Sequence, residues 1–207
     1  MQIKKDEVKQ KLLDAARHEF MEQGFEGASI RSIVKTANTT IGNFYNYFQS
    51  KEAIFTALVK DIYNGFSYIL SNHNNIPLPD LEHELDMYNL DIALLRSVLA
   101  ELIGKVLYIL NSSFILLIEK SHGTKYENSK QELIDMMSEH FLLHISEESP
   151  GYPNPEIGKI LARQMLEGIM EILKTYKNFD EKLQMLTELT IFVITGMVGI
   201  LKGEKND

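Results

Sequence analysis

Thr39-Thr40-Ile41-Gly42-Asn43-Phe44-Tyr45-Asn46-Tyr47-Phe48, followed by Ser50-Lys51-Glu52, is the stretch whose reading decides the rest of the chain. On a helix that starts at Ile41, Phe44 and Phe48 lie four apart and share one buried face. Gly42, Asn43, Asn46 and Tyr47 then point elsewhere. An exposed face of Asn, Thr and Tyr with little charge is poor solvent surface but suits a groove. Asn bonds base edges, Thr bonds phosphate or touches a thymine methyl, and Tyr hydroxyls reach phosphates. Gly42 lets the backbone come close to a duplex. The unpaired N–H groups that open the next helix, with Lys51, form a candidate phosphate site. Ser29 and Arg31, at the start of the preceding helix, are placed to hold the opposite backbone. The same spacing also fits a hairpin whose Tyr and Asn side chains only pack.

Outward from this stretch, apolar residues recur at three- and four-residue spacing and strand-like alternation is rare, so an all-α fold is expected. Val8, Leu12, Ala15, Ala16 and Phe20 form the stripe of a first helix over 6–23, which Gly24 stops. Ser29 caps a short second helix with Ile30, Ile33, Val34 and Ala37 on its buried face. At Ala37-Asn38-Thr39-Thr40 the pattern breaks. Asn38 tolerates a left-handed backbone, and Thr40 caps a third helix over 41–47. Two short helices joined by so few residues predict a helix-turn-helix. A fourth helix runs from about Ser50 to Ser71. Beyond a polar, proline-closed loop at 72–79, helical stretches are expected at 81–110, 112–121, 128–146, 155–176 and 180–202, with Asp180 capping the last.

The chain has 207 residues, no cysteine and no tryptophan, with 44% apolar and 24% charged residues, which suits an ordinary folded protein. Without cysteine, disulfides and thiolate chemistry are excluded, and a reducing cytosol fits. The opening MQIKKDEVKQ lacks the apolar core of a secretion signal, and the longest apolar run, near 191–201, falls short of the ~20 residues of a bilayer span. A cytoplasmic protein with no membrane partner is therefore expected. The net charge of −8 argues against a polyanionic partner until its distribution is examined. Residues 1–60 carry nine basic and seven acidic side chains, a balance of +2, and the remainder carries twelve and twenty-two, a balance of −10. A mildly basic N-terminal segment on an acidic body suggests two tasks in one chain.

The final helix, through Ile191, Ile194 and Val198, is apolar around its circumference, and the helix before it offers Met165, Ile169 and Ile172. Two such helices per chain predict a four-helix interface in a two-fold dimer, with Gly196 and Gly199 allowing close approach. A central core helix in a monomer satisfies the same pattern. Apolar and aromatic positions in the middle helices supply candidates for a small-molecule pocket: Met87, Tyr88, Tyr108, Phe114, Met136, Phe141, His144 and Met165. Each of these also suits a plain core. No nucleophile motif or phosphate-cradling glycine loop occurs. His140 and His144 lie four apart beside Glu139, but their order is not that of zinc proteases and no third ligand is evident. Neither a catalytic centre, nor a metal site, nor a cofactor is expected. An enzyme, or an oligomeric helical adaptor that binds protein, is the alternative.

Gly24-Phe25, Ser29-Ile30-Arg31-Ser32-Ile33, Ala37 through Phe48, and Ser50-Lys51-Glu52 resemble, in order and spacing, the N-terminal domain of the tetracycline-repressor (TetR) family. That pattern reads roughly Gly-Phe, Thr/Ser-x-x-x-Ile-Ala, Ala-Gly-Val-Ser-x-Gly-x-Leu-Tyr-x-Tyr-Phe, Ser/Asp-Lys-Glu. Here Asn38 replaces Gly, Thr39 replaces Val, Thr40 replaces Ser, Phe44 replaces Leu, and Val34 stands where Ala is usual. The resemblance implies a three-helix DNA-binding domain at 1–50 and a helical effector-binding and dimerisation domain at 51–207. It also implies a homodimeric transcription regulator, usually a repressor, that binds a palindromic operator in double-stranded DNA and is often released by a small effector. By position, Thr40, Tyr45 and Lys51 would contact phosphate. Ile41, Gly42 and Asn43 would lie nearest the base edges, with Tyr47 close by and Thr39 altering contacts at the turn.

Overall fold

The computed structural model describes residues 2–72, 91–107, 110–148 and 156–204. Over these residues the chain is helical throughout: α1 (Gln2–Gly27), α2 (Ile30–Thr36), α3 (Ile41–Tyr45), α4 (Lys51–Asn72), α5 (Ile92–Val106), α6 (Ser112–Glu119), α7 (Ser129–Glu148), α8 (Glu156–Thr175) and α9 (Phe179–Glu204). The expected loop at 72–79 and the first part of the expected helix at 81–110 fall mostly outside the described residues.

The helices form two compact units. One comprises the chain up to Phe66 together with Leu110–Lys130, and the other the described parts of 67–109 and 131–207. This division by packing does not coincide with the expected 1–50 and 51–207. The start of α4 and all of α6 belong with the N-terminal helices.

In the first unit, Leu12, Ala15, Ala16 and Phe20 of α1 are buried as their spacing predicts. Phe20, Phe25 and Phe55 meet around one point, with ring centroids 5.1–5.9 Å apart. Such aromatic pairs add about 0.5–1.5 kcal/mol beyond area burial. Gly24 adopts φ 68 and kinks α1 there, which gives the expected stop a geometric cause, although Phe25–Gly27 make one further turn. α6 is buried on every side from Ser113 to Ile118. The Phe25 N–H donates to the Lys120 carbonyl at 3.0 Å, which ties the end of α6 to the end of α1. Phe114 is fully buried and its ring lies 5.3 Å from that of Phe66.

In the second unit, α9 packs on α5 and on α8. A Cβ at Gly168 would lie 2.9 Å from Leu189 Cδ2, so α8 approaches α9 closely there and a larger residue would make the Leu189 side chain shift. Arg96 on α5 grips the Glu188 carboxylate on α9 with two hydrogen bonds of 2.8 and 3.2 Å. These hydrogen bonds hold the carboxyl below its ordinary range and raise the guanidinium. The cap of α9 is Asn178, whose Oδ1 accepts from the Glu181 N–H at 2.8 Å, so Asp180 does not have the expected capping role. By length and composition α9 could cross a membrane over Phe179–Gly199, longer than the apolar run suggests. Its ion pair with Arg96 and its packing on α8 make it a member of a helical unit.

Candidate nucleic-acid interface

The turn between α2 and α3 is built from local hydrogen bonds. Ser29 caps α2, its Oγ accepting from the Ser32 N–H at 3.1 Å. The helix ends at Ala37, and Asn38 takes φ 49, the one positive φ outside glycine among the described residues. Asn bears that conformation more cheaply than most side chains. The Thr39 N–H then returns to the Val34 carbonyl at 2.9 Å. Thr40 caps α3, accepting from the Asn43 N–H at 3.1 Å.

α3 is shorter than expected, ending at Tyr45 with Asn46 as its C-cap. Phe44 and Phe48 are buried with their rings 5.8 Å apart, as their spacing predicts. The opposite side is open: Ile41 is 42% and Tyr45 53% exposed, Gly42 and Asn46 are exposed, and Asn43 and Tyr47 are half-buried. Tyr45 sets its ring edge-on to Phe44 at 5.4 Å, which braces it at the rim of the core. Asn43 Nδ2 donates to Thr39 Oγ1 at 2.7 Å, and Asn46 Nδ2 reaches Asn43 Oδ1 at 3.5 Å. Ser29 and Arg31 are exposed together at the start of α2.

Lys51 is placed otherwise than the sequence suggests. Its Nζ donates to the carbonyls of Phe25 at 2.6 Å, Glu26 at 3.2 Å and Ala28 at 2.9 Å, and lies 4.5 Å from the centre of the Phe25 ring. An ammonium has three donors, and all three are taken. Lys51 therefore clasps the end of α1 to the start of α4, and a phosphate would have to displace one of these carbonyls. Glu19 escaped the sequence reading altogether. Its carboxylate accepts from the Ser29 N–H at 3.1 Å and the Ser32 hydroxyl at 2.5 Å, and so fixes the start of α2 against α1. The signal was present: Leu12, Ala16 and Glu19 follow the i, i+4, i+7 spacing, and an acid on an apolar stripe needs partners.

Of the expected dimer residues, Ile169, Ile172, Ile191 and Val198 are already buried within one protomer, and Met165 and Ile194 are half-buried. The open apolar surface lies beside them on α9, where Phe192 is 77% exposed and, among the described residues, nothing comes within 4 Å of a Cβ placed at Gly196 or Gly199. Of the pocket candidates, Met87, Tyr88 and Tyr108 lie outside the described residues, as does the side chain of His144. Phe114 belongs to the core of the first unit, whereas Met136, Phe141 and Met165 belong to the second. Among the described residues no three His, Cys, Asp or Glu side chains converge as metal ligands.

Two short helices joined by a capped turn, the second with a polar outer face, define a helix-turn-helix protein of the DNA-binding class. Residues 12–58 match the family described as "Bacterial regulatory proteins, tetR family", so this segment is similar to the N-terminal part of those proteins. It is 47% identical over 64 residues to the uncharacterized HTH-type transcriptional regulator YdgC of Bacillus subtilis (strain 168). That match spans 31% of this chain and about a third (33%) of the length of YdgC. The fold is similar to that of a transcriptional regulator (TerR/AcrR family) from Aquifex aeolicus VF5, with 16% identity, TM-score 0.51, and coverage of 89% of this chain and 99% of that one. It is also similar to AibR in complex with isovaleryl coenzyme A and operator DNA, with 19% identity, TM-score 0.51, and coverage of 93% and 97%. At these identities the two structures speak for the fold alone.

Proposed function

We propose that this chain is a homodimeric transcriptional regulator, a repressor that leaves a palindromic DNA operator when a small molecule binds its helical body. The observation that carries the reading is α3: its apolar side is locked by Phe44 and Phe48, while Ile41, Gly42, Tyr45 and Asn46 stand open on the other. Asn43, Asn46 and the Thr39 hydroxyl supply donors and acceptors for base edges, with Tyr45, Thr40, Ser29 and Arg31 flanking them for phosphate. The first fifty residues serve DNA, and the remainder serves dimerisation and the effector.

A second copy is the natural cover for Phe192, Gly196 and Gly199, which recur at i, i+4 and i+7 along one face of α9. Dimer geometry then sets function, because two α3 helices reach successive major grooves only when they stand about 34–36 Å apart. An effector that binds one separation better than another shifts operator affinity, by about 1–3 kcal/mol in a typical coupled system. AibR, bound to isovaleryl coenzyme A and to its operator, supports the idea that this fold serves both ligands. The site of action is the cytoplasm, where the DNA is.

The test is selection of bound fragments from a randomised duplex library by the full chain, with and without cell metabolites, at two salt concentrations. A palindromic motif whose affinity falls steeply with salt is expected. Recovery of no motif, or binding indifferent to salt, would favour the adaptor or enzyme reading.

A further inference from the structure

Asn43 is held from two directions by consecutive hydroxyls. Thr40 Oγ1 takes its main-chain N–H at 3.1 Å, and Thr39 Oγ1 takes its side-chain amide at 2.7 Å in a half-buried contact. Thr39 is positioned for this by the turn, in which Asn38 holds φ 49 and the Thr39 N–H is anchored on Val34. From the other side, Asn46 Nδ2 approaches Asn43 Oδ1 at 3.5 Å. An Asn amide has two donors and two acceptor lone pairs. With one of each engaged inside the protein, one donor and one acceptor remain. That pair is what the N7 and N6 groups of adenine demand in the major groove, whereas guanine offers two acceptors there.

We infer that Thr39 is a specificity-determining residue: its hydroxyl fixes the Asn43 amide so that Asn43 selects an A·T pair at one position of each half-site. The inference rests on the DNA-binding reading above and names what that site recognises. Thr39 acts in two ways. With the amide tethered through its NH2 group, one N–H and the oxygen stay available, the complement of adenine and not of the two acceptors of guanine. A side chain ordered before binding also loses less freedom when it meets the base. Valine has the shape of threonine without the hydroxyl, so Thr39→Val removes the tether and leaves the turn's packing in place.

The experiment compares duplexes selected from a randomised library by the full unmodified chain and by its Thr39→Val, Thr39→Ser and Asn43→Ala variants. For Thr39→Val, preference for A·T should relax about 3- to 10-fold at one symmetric pair of positions. The rest of the motif should be unchanged, and the thermal midpoint should fall by no more than the few degrees that one lost hydrogen bond costs. Asn43→Ala should relax the same positions, and Thr39→Ser, which keeps the hydroxyl, should restore the preference. In the free protein, Thr39→Val should also move the Asn43 side-chain amide resonances, which a purely packing role would leave in place. Unchanged preference with Thr39→Val, uniform loss at all positions, or relaxation at a G·C pair overturns the inference while the DNA-binding reading stands. If the unmodified chain selects no motif at all, the DNA-binding reading falls and this inference falls with it.

Discussion

α3 and α9 each present an open face, and the two faces are made of different material. On α3 the exposed side carries Gly42, Tyr45 and Asn46 beside the half-buried Asn43, with hydrogen-bonding groups that a polar groove can satisfy. On α9 it carries Phe192, 77% exposed, beside two glycines with open space over them among the described residues. A polar face with its side chains pre-ordered suits a partner read by hydrogen bonds. An apolar knob beside two bare backbone positions suits a surface that packs, and a copy of the same helix is such a surface. The contrast is what the proposed division of tasks rests on, recognition in one unit and self-association in the other.

The largest effect is expected where that contrast is broken outright. Phe192→Glu puts a charge at the centre of the α9 face and should weaken the dimer by on the order of 2–4 kcal/mol, as loss of an aromatic anchor does. Sedimentation should find a monomer of unchanged helix content, and affinity for a two-half-site duplex should collapse towards that for one. A dimer that persists would show that the face serves something else. Next comes the clasp beneath α3. Lys51→Met removes charge-assisted hydrogen bonds to three carbonyls and should cost about 1.5–3 kcal/mol in denaturant unfolding. Because Lys51 is committed inward, the slope of log affinity against log salt should be unchanged. A slope smaller by about 1 would mean that Lys51 contacts phosphate after all. The smallest change is Tyr45→Phe, which keeps the ring against Phe44 and removes only the hydroxyl. A lost hydrogen bond from the hydroxyl to an exposed phosphate, which water can replace, is worth about 0.5–1.5 kcal/mol, so every duplex should bind a few-fold more weakly regardless of sequence. Equal affinity would leave Tyr45 as a packing residue.

These variants also separate what was legible early from what was not. The turn was readable because its determinants are local. Ser29 and Thr40 cap, Asn38 takes the left-handed conformation, and Phe44 and Phe48 are buried, each decided within four or five residues of chain. The inward clasp of Lys51 was not legible because its three acceptors lie 23 to 26 residues away, and nothing in Ser50-Lys51-Glu52 reveals them. The sequence marked α9 as an apolar helix but not which of its faces stays open. Ile191 and Val198 are as apolar as Phe192, and only the packing of α5 and α8 decides which of them stay open.

By itself the order of residues determined the all-helical fold, the place of the helix-turn-helix and the likeness of residues 12–58 to the tetR-family regulatory proteins. Those features follow from short-range rules of periodicity, capping and backbone preference that act wherever the chain goes. Tertiary structure alone decided that α6 joins the N-terminal helices, that Lys51 and Glu19 brace α1 against α4 and α2, and that Phe192 is left uncovered. Each of these depends on which distant groups come within a few ångströms, and hydrogen bonds and burial are settled by that distance.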